Sequence, residues 1–410
     1  MTAPLVPAYG TASLADLSSS LLAALGLRTT SPGIAGRASG SGSAGRASDG
    51  AETGRAETGL TEFGNPLGLE PAGRVLLFIV DGLGAELLRA HPETAPFLSA
   101  RQGRVLTAGF PATTATSLGT LGTGLPPGEH GMLGYQLAVP GAGYLLNCLR
   151  WTATGPVVPP DEWQPTPTVF ERAAAAGIPV SYVAPSAFGP TAFNRAVYRG
   201  VGFVGADTLD DRVEGARAAL AEPRSHVTVY YGDLDAAGHR FGWGSPQWLE
   251  RLAVVDRLAE RLADTLPPGS AMYVTADHGM VNVTESIDVD DPAGPGVALR
   301  EGVALLGGET RARHVYAERG AAGAVLDAWR DVLAGRAWVV SRQEAVESGW
   351  FGPSVRSGWL PRIGDVLAVP YTDCAIVASV AEPVESSFVG THGSLTAAEQ
   401  HVPLLEVSTR

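Results

Sequence analysis

The chain has 410 residues, is 45% hydrophobic and carries a formal net charge of −13, so it can bury at least one large core and should repel long nucleic acids. All 29 of its positive charges are arginine, which excludes P-loop phosphate binding, kinase-type lysines and pyridoxal Schiff bases, because each needs an ammonium. Two cysteines, Cys148 and Cys374, are too few for a disulfide framework or a thiolate zinc site and are expected as buried thiols.

There is no run of about 18 apolar residues, and the first positively charged side chain is Arg28. Neither a membrane-spanning helix nor a secretory signal is read, and cytoplasmic residence is expected. Within residues 1–30, the stretch 11–27 sets leucines at helical spacing behind Ser and Thr caps and predicts a helix that docks on the core. Residues 31–70, with GRASG, GRASDG and GRAETG, read as a flexible linker rich in Gly, Ala, Ser and Arg. From Arg74 short apolar strands alternate with helical stretches, which predicts an α/β core over 71–287 with a mostly parallel sheet covered on both faces. The strands expected are 75–80, 180–183, 227–231 and 272–275. An amphipathic helix over 247–266 should bury Trp248, Leu252, Val255, Leu258 and Leu262. Residues 288–385 alternate again, at 313–316, 323–333, 338–341, 365–369 and 375–379, and read as a small inserted α/β unit without candidate ligands. Residues 386–410 return to the core.

Chemistry gathers where apolar strands end. Ligands of an open α/β sheet bind beyond its carboxyl edge, and Asp81 directly follows VLLFIV. Asp235 and His239 lie four apart after a second strand, share a helical face and can grip one divalent ion; Asp233 is a competitor with poorer spacing. Asp277 and His278 follow a third strand, where Gly279 is expected to turn the backbone tightly so that both side chains converge. His392 sits between glycines in GTHG. Three Asp and three His suffice for two zinc sites. A threonine-rich segment after Gly109-Phe110-Pro111 precedes a predicted helix. A hydroxyl there either caps the helix or, with anion-binding N–H groups around it and a metal to lower its pKa, becomes a nucleophile. His91, His130, His226, His314 and His401 lack such settings and read as structural or solvated.

In this order, strand-Asp-Gly, threonine segment, Asp-x-x-x-His, Asp-His-Gly and His-Gly, the motifs resemble the alkaline phosphatase superfamily, and within it the type I phosphodiesterase/nucleotide pyrophosphatase branch. The likeness runs over about residues 74–405, apart from the insertion. It implies an alkaline phosphatase-like three-layer α/β/α core with the insertion as a cap. It also implies two divalent metal ions, zinc being the first choice, one held by Asp235, His239 and His392 and the other by Asp81, Asp277 and His278. The family's nucleophile lies nine residues before a Thr-Gly pair, here Thr123-Gly124, which gives Thr114, itself a ligand of the second metal, with Thr113 and Thr116 as fallbacks. The implied reaction is a two-step displacement on a small phosphorylated substrate. Thr114 attacks phosphorus in line, a phosphothreonine forms, and water cleaves it.

Departures from the family bear on the substrate. Tyr135 stands where relatives often place a phosphate-binding Asn, and with no lysine available, Asn147 and Arg150 are the substitute phosphate contacts. The Cys- or Ser-x-Pro-x-Arg pattern of sulfatases is missing at the nucleophile. Two alternatives stand beside the phosphodiesterase or pyrophosphatase. One is a phosphomonoesterase, phosphonoacetate hydrolase-like enzyme or phosphomutase on the same fold. The other is a non-catalytic protein that keeps metals for stability. The ligand set suits several divalent ions, and the oligomeric state is not readable from the sequence.

Overall fold

Seven strands form the central sheet, in the order Gly103–Thr107, His401–Ser408, Ser270–Thr275, Arg74–Val80, Ser225–Tyr231, Val180–Ala184 and Gly202–Gly205. The structure is a computed structural model that describes residues 3–27, 64–101 and 103–409; most of the expected linker, residues 31–63, lies outside the described residues. The last five strands in that order run parallel, and His401–Ser408 is antiparallel to both its neighbours. Helices cover both faces, which is why the central strands read as continuous apolar runs: every residue of Ser225–Tyr231 is buried. Arg74–Val80 lies in the middle with Ile79 opposite Thr275 and Val80 opposite Tyr231. That register delivers Asp81, Asp277 and the turn into Asp235 side by side at the carboxyl edge.

The helix Leu14–Ala24 fully buries Leu14, Leu17, Leu21 and Leu22 and has a Ser13–Asp16 capping box at its start. Residues 64–70, assigned to the linker from sequence, instead lie on the core: Leu67 and Leu69 are buried, and the Leu67 N–H donates to Ser20 Oγ at 3.2 Å. The amphipathic helix spans Pro246–Ala263 and buries the whole predicted stripe. It stops short of Leu266 because Pro267 disfavours helical backbone before it, and Thr265 and Leu266 close the end with i→i−3 bonds.

The insertion carries a four-stranded antiparallel sheet, Val303–Glu309, Ala312–Ala317, Val366–Pro370 and Ala337–Ser341, in that order. The helix Ala322–Val332 packs Val325 and Trp329 onto it, forming an apolar cluster separate from the main core. Cys374–Val377 pairs with Glu285–Asp288 and ties the insertion to the chain just beyond Asp277. No helix among the described residues is long and apolar enough to cross a membrane.

Candidate active site

All six expected ligands meet at the carboxyl edge. Asp235, His239 and His392 each offer one ligand atom within 4.8 Å of the others, and so do Asp81, Asp277 and His278. On the helix Asp233–Phe241, Asp235 brings Oδ2 to 3.1 Å from His239 Nε2. His278 Nε2 stands 3.4 Å from Asp81 Oδ1 and 3.5 Å from Asp277 Oδ2. The two groups adjoin through the rings of His278 and His392, stacked with centroids 3.6 Å apart. Gly82 has a φ of 73°, and a Cβ there would meet Asp235 Oδ1 at 2.9 Å, so only glycine lets these segments close on each other. Gly279 serves a different purpose from the tight turn expected of it. A Cβ at that position would come within 1.9 Å of the Ala398 carbonyl oxygen, so its role is close approach to the returning C-terminal chain.

Thr114 opens the helix Thr114–Thr123, and its Oγ1 lies 3.2 Å from His278 Nε2. Thr113 is the N-cap residue but makes no side-chain capping bond; it and Thr114 both face the cavity, whereas Thr116 is fully buried and does not line it. The helix sits deep because Gly122 packs against the Val197 carbonyl, which a Cβ would meet at 2.2 Å.

These residues fit divalent cations on three counts. Each histidine turns Nδ1 to a main-chain carbonyl: His239 to Gly390 at 2.8 Å, His278 to Gly279 at 3.0 Å and His392 to Ala112 at 2.9 Å. With Nδ1–H donating there, the Nε2 lone pair points to the carboxylates. Three buried carboxylate oxygens, Asp81 Oδ1, Asp235 Oδ1 and Asp277 Oδ2, have no hydrogen-bond partner, an arrangement that is costly without a cation. Burial and the neighbouring Asp277 and Asp235 carboxylates push Asp81 well above the usual carboxylate range. Burial acts the same way on Asp235, but the His239 imidazole prevails and pulls its carboxyl down. Burial, and then His278, holds His392 well below the ordinary imidazole range, so it is a neutral donor.

The ligands open into a cavity of about 520 Å³ walled by Tyr182, Phe188, Phe193, Tyr198 and Phe388. Tyr135 and Arg150 reach this wall, but both are engaged by Glu385: the Tyr135 hydroxyl donates to its Oε1 at 3.1 Å, and an Arg150 nitrogen lies 3.3 Å away. Asn147, expected as a phosphate contact, does not line the cavity. Its Oδ1 accepts the N–H groups of Leu149 at 3.1 Å and Arg150 at 2.8 Å, so it shapes the turn that carries Arg150. The sequence reading misses the aromatic walls and also Tyr230, Glu309 and Glu385. Tyr230 donates its hydroxyl to Asp81 Oδ2; its position at a strand end, next to a ligand motif, is the signal that could have marked it. Glu309 and Glu385 arrive from the insertion, which therefore does supply residues to the site. Burial pushes the Glu309 carboxyl up to about 8, and it lies 3.9 Å from His392 Nδ1. The remaining histidines stay outside the site: His130 pairs with Thr120, His314 accepts the Gly364 N–H, His401 meets Glu86, and His226 and His91 pack against aromatic rings.

Comparison with solved structures places the same fold around murine ectonucleotide pyrophosphatase/phosphodiesterase 5. That similarity has a TM-score of 0.59 and 18% identity and covers 80% of this chain and 87% of the other. Phosphonoacetate hydrolase from Sinorhizobium meliloti 1021, in complex with phosphonoacetate, is similar with a TM-score of 0.61 and 18% identity over 82% of this chain and 90% of its own. The murine protein has also been solved in an inactive form in complex with AMP, at a TM-score of 0.60 and 18% identity, covering 82% of this chain and 88% of that one. No curated protein sequence matches. The profile described as type I phosphodiesterase / nucleotide pyrophosphatase matches residues 75–395, a span that holds every ligand assembled above. The chain belongs to that family, and is a phosphoric ester hydrolase.

Proposed function

We propose that the chain hydrolyses a phosphodiester or pyrophosphate bond of a small substrate at two divalent metal ions, zinc for preference, through a phosphothreonine formed on Thr114. The observation that carries this reading is the place of the Thr114 hydroxyl. It stands at the head of a ten-residue helix, 3.2 Å from His278 Nε2, beside ligand groups whose carboxylates keep unpartnered oxygens. Asp235, His239 and His392 would hold one ion and Asp81, Asp277 and His278 the other. When bound, such ions neutralise charge on phosphoryl oxygens and favour deprotonation of a hydroxyl or water.

The chain's own residues do the rest. Main-chain N–H groups at the start of Thr114–Thr123 face an incoming anion, and the helix orients Thr114 Oγ1 toward phosphorus. Oγ1 loses its proton, the Oγ1–P bond forms and the bond to the leaving oxygen breaks. Water then attacks from the vacated side and restores the threonine. The aromatic walls exclude competing water and position the organic group. AMP and phosphonoacetate in the similar structures support a small phosphorus-bearing substrate here.

In this reading residues 1–30 dock, 71–287 and 386–410 form the catalytic core, which residues 64–70 join, and 288–385 cap it. Two buried cysteines without a disulfide support cytoplasmic residence. The test compares bis-p-nitrophenyl phosphate, p-nitrophenyl phosphate and phosphonoacetate on one purified sample of measured metal content. Diester preference with two metals supports the proposal, and monoester or phosphonoacetate preference moves the enzyme to another branch of the fold. Two metals with no turnover point to a structural role. Full activity in Thr114→Ala would remove the nucleophile assignment.

A further inference from the structure

We infer that the site takes phosphodiesters whose organic groups carry no negative charge, and that Glu385 enforces this choice. The inference rests on the hydrolase reading above and narrows its substrate. Among the described residues that line the cavity, Arg150 carries the one permanent positive charge, and the chain has no lysine. That guanidinium is already paired with a carboxylate. Glu385 pairs with it at 3.3 Å and also takes the Tyr135 hydroxyl at 3.1 Å, which engages the two donors that could otherwise hold an anionic group. Arg150 is itself 56% exposed, whereas the Glu385 side chain is 17% exposed, so the carboxylate is the more enclosed partner. Glu385 lies on the short segment that leads to Phe388, whose ring stacks on His239 at 4.3 Å, and then to His392. Asp233 and Glu309 line the same cavity.

The charge balance follows from these residues. Two divalent ions set against Asp81, Asp235 and Asp277 leave a single net positive charge, which the single negative charge of a diester matches. A second anionic group on the substrate faces the carboxylates of Asp233 and Glu385, and the one cation of the wall is already paired with Glu385. A neutral or cationic group meets the aromatic wall residues Phe188 and Phe193, which suit either. Nucleoside triphosphates, with several negative charges, are therefore excluded although the fold is shared with nucleotide pyrophosphatases.

The test uses three p-nitrophenyl phosphodiesters whose second alkyl group has one length and ends in trimethylammonium, tert-butyl or carboxylate. Binding to metal-loaded Thr114→Ala protein is measured by calorimetry, so the readout is a dissociation constant and not turnover. The carboxylate ester should bind at least tenfold more weakly than the tert-butyl ester. Adding Glu385→Gln, which keeps the shape and frees Arg150, should narrow that gap at least threefold. Equal dissociation constants for all three esters, or a gap that Glu385→Gln leaves unchanged, would overturn the inference. Binding of ATP in preference to all three would overturn it while leaving the hydrolase reading intact. If none of these compounds binds and the wild-type protein turns none of them over, both readings fall.

Discussion

Glu399→Gln should destabilise the protein by about 3 kcal/mol, because it strands a buried guanidinium. Arg311 and Glu399 are both fully buried, with Nε at 2.7 Å from one carboxylate oxygen and a terminal nitrogen at 2.8 Å from the other. The remaining Arg311 donors reach the carbonyls of Pro370, Thr372 and Cys374 at 3.2, 2.8 and 2.7 Å, so the guanidinium is satisfied but, among the described residues, Glu399 alone pairs with its charge. Breaking one side of such a pair costs roughly 3–5 kcal/mol, and glutamine keeps one acceptor, which places the loss at the lower end. The pair also joins the insertion to both ligand loops: Ser394 N–H donates to the Glu399 carboxylate at 3.0 Å, and Gly279 N–H donates to its main-chain carbonyl at 2.8 Å. Urea unfolding followed by tryptophan fluorescence should show a lower midpoint at unchanged slope. The double variant Arg311→Met with Glu399→Leu, which removes both charges, should recover most of the loss. A Glu399→Gln penalty below about 1 kcal/mol would refute the reasoning, since the guanidinium would then have another source of compensation.

Tyr230→Phe removes the hydroxyl that holds Asp81 while keeping the ring contact to Phe188 at 5.9 Å, and should weaken one of two metal-binding steps about 10–100-fold in a cobalt titration read by absorbance. Two unchanged steps would mean that the hydroxyl only fills space. Gly122→Ala forces a methyl toward the Val197 carbonyl and should cost about 1–3 kcal/mol in urea unfolding; a neutral result would show that the helix carrying Thr114 can shift freely. Burial, and then Arg356 and Arg362, hold His130 down to about 3 from its ordinary 6.5. Unfolding below pH 6.5 therefore takes up a proton at this residue, and stability is lost as pH falls from about 6.5 toward 3. His130→Gln should reduce that slope by about 1.4 kcal/mol per pH unit, and an unaltered slope would assign the proton uptake elsewhere.

Five of the six candidate ligands are legible in sequence because short-range geometry places them, and His392 is legible only through the order of the motifs. Asp81 and Asp277 end strands, His278 adjoins Asp277, and Asp235 and His239 share one helical face. Glu309 and Glu385 carry no such mark. Val303–Glu309 pairs inside the insertion, and only the way that sheet leans on the core brings its last residue to the cavity. Asn147 misleads for the opposite reason: a short amide ahead of a tight turn finds its partners in its own backbone, and that local bond leaves it behind the cavity wall. Gly279 is visible as a glycine, but the Ala398 carbonyl that requires it comes from a segment more than a hundred residues later.

The tethering of the three clustered imidazoles, His239, His278 and His392, to carbonyls of Gly390, Gly279 and Ala112 has an evolutionary consequence. A side-chain tether can be deleted by a single codon change, but a peptide carbonyl is present whatever amino acid occupies the position. The aim of the imidazoles is thus inherited with the backbone path, and surrounding side chains can drift without loosening it. Such a centre can outlast most of the sequence that first surrounded it.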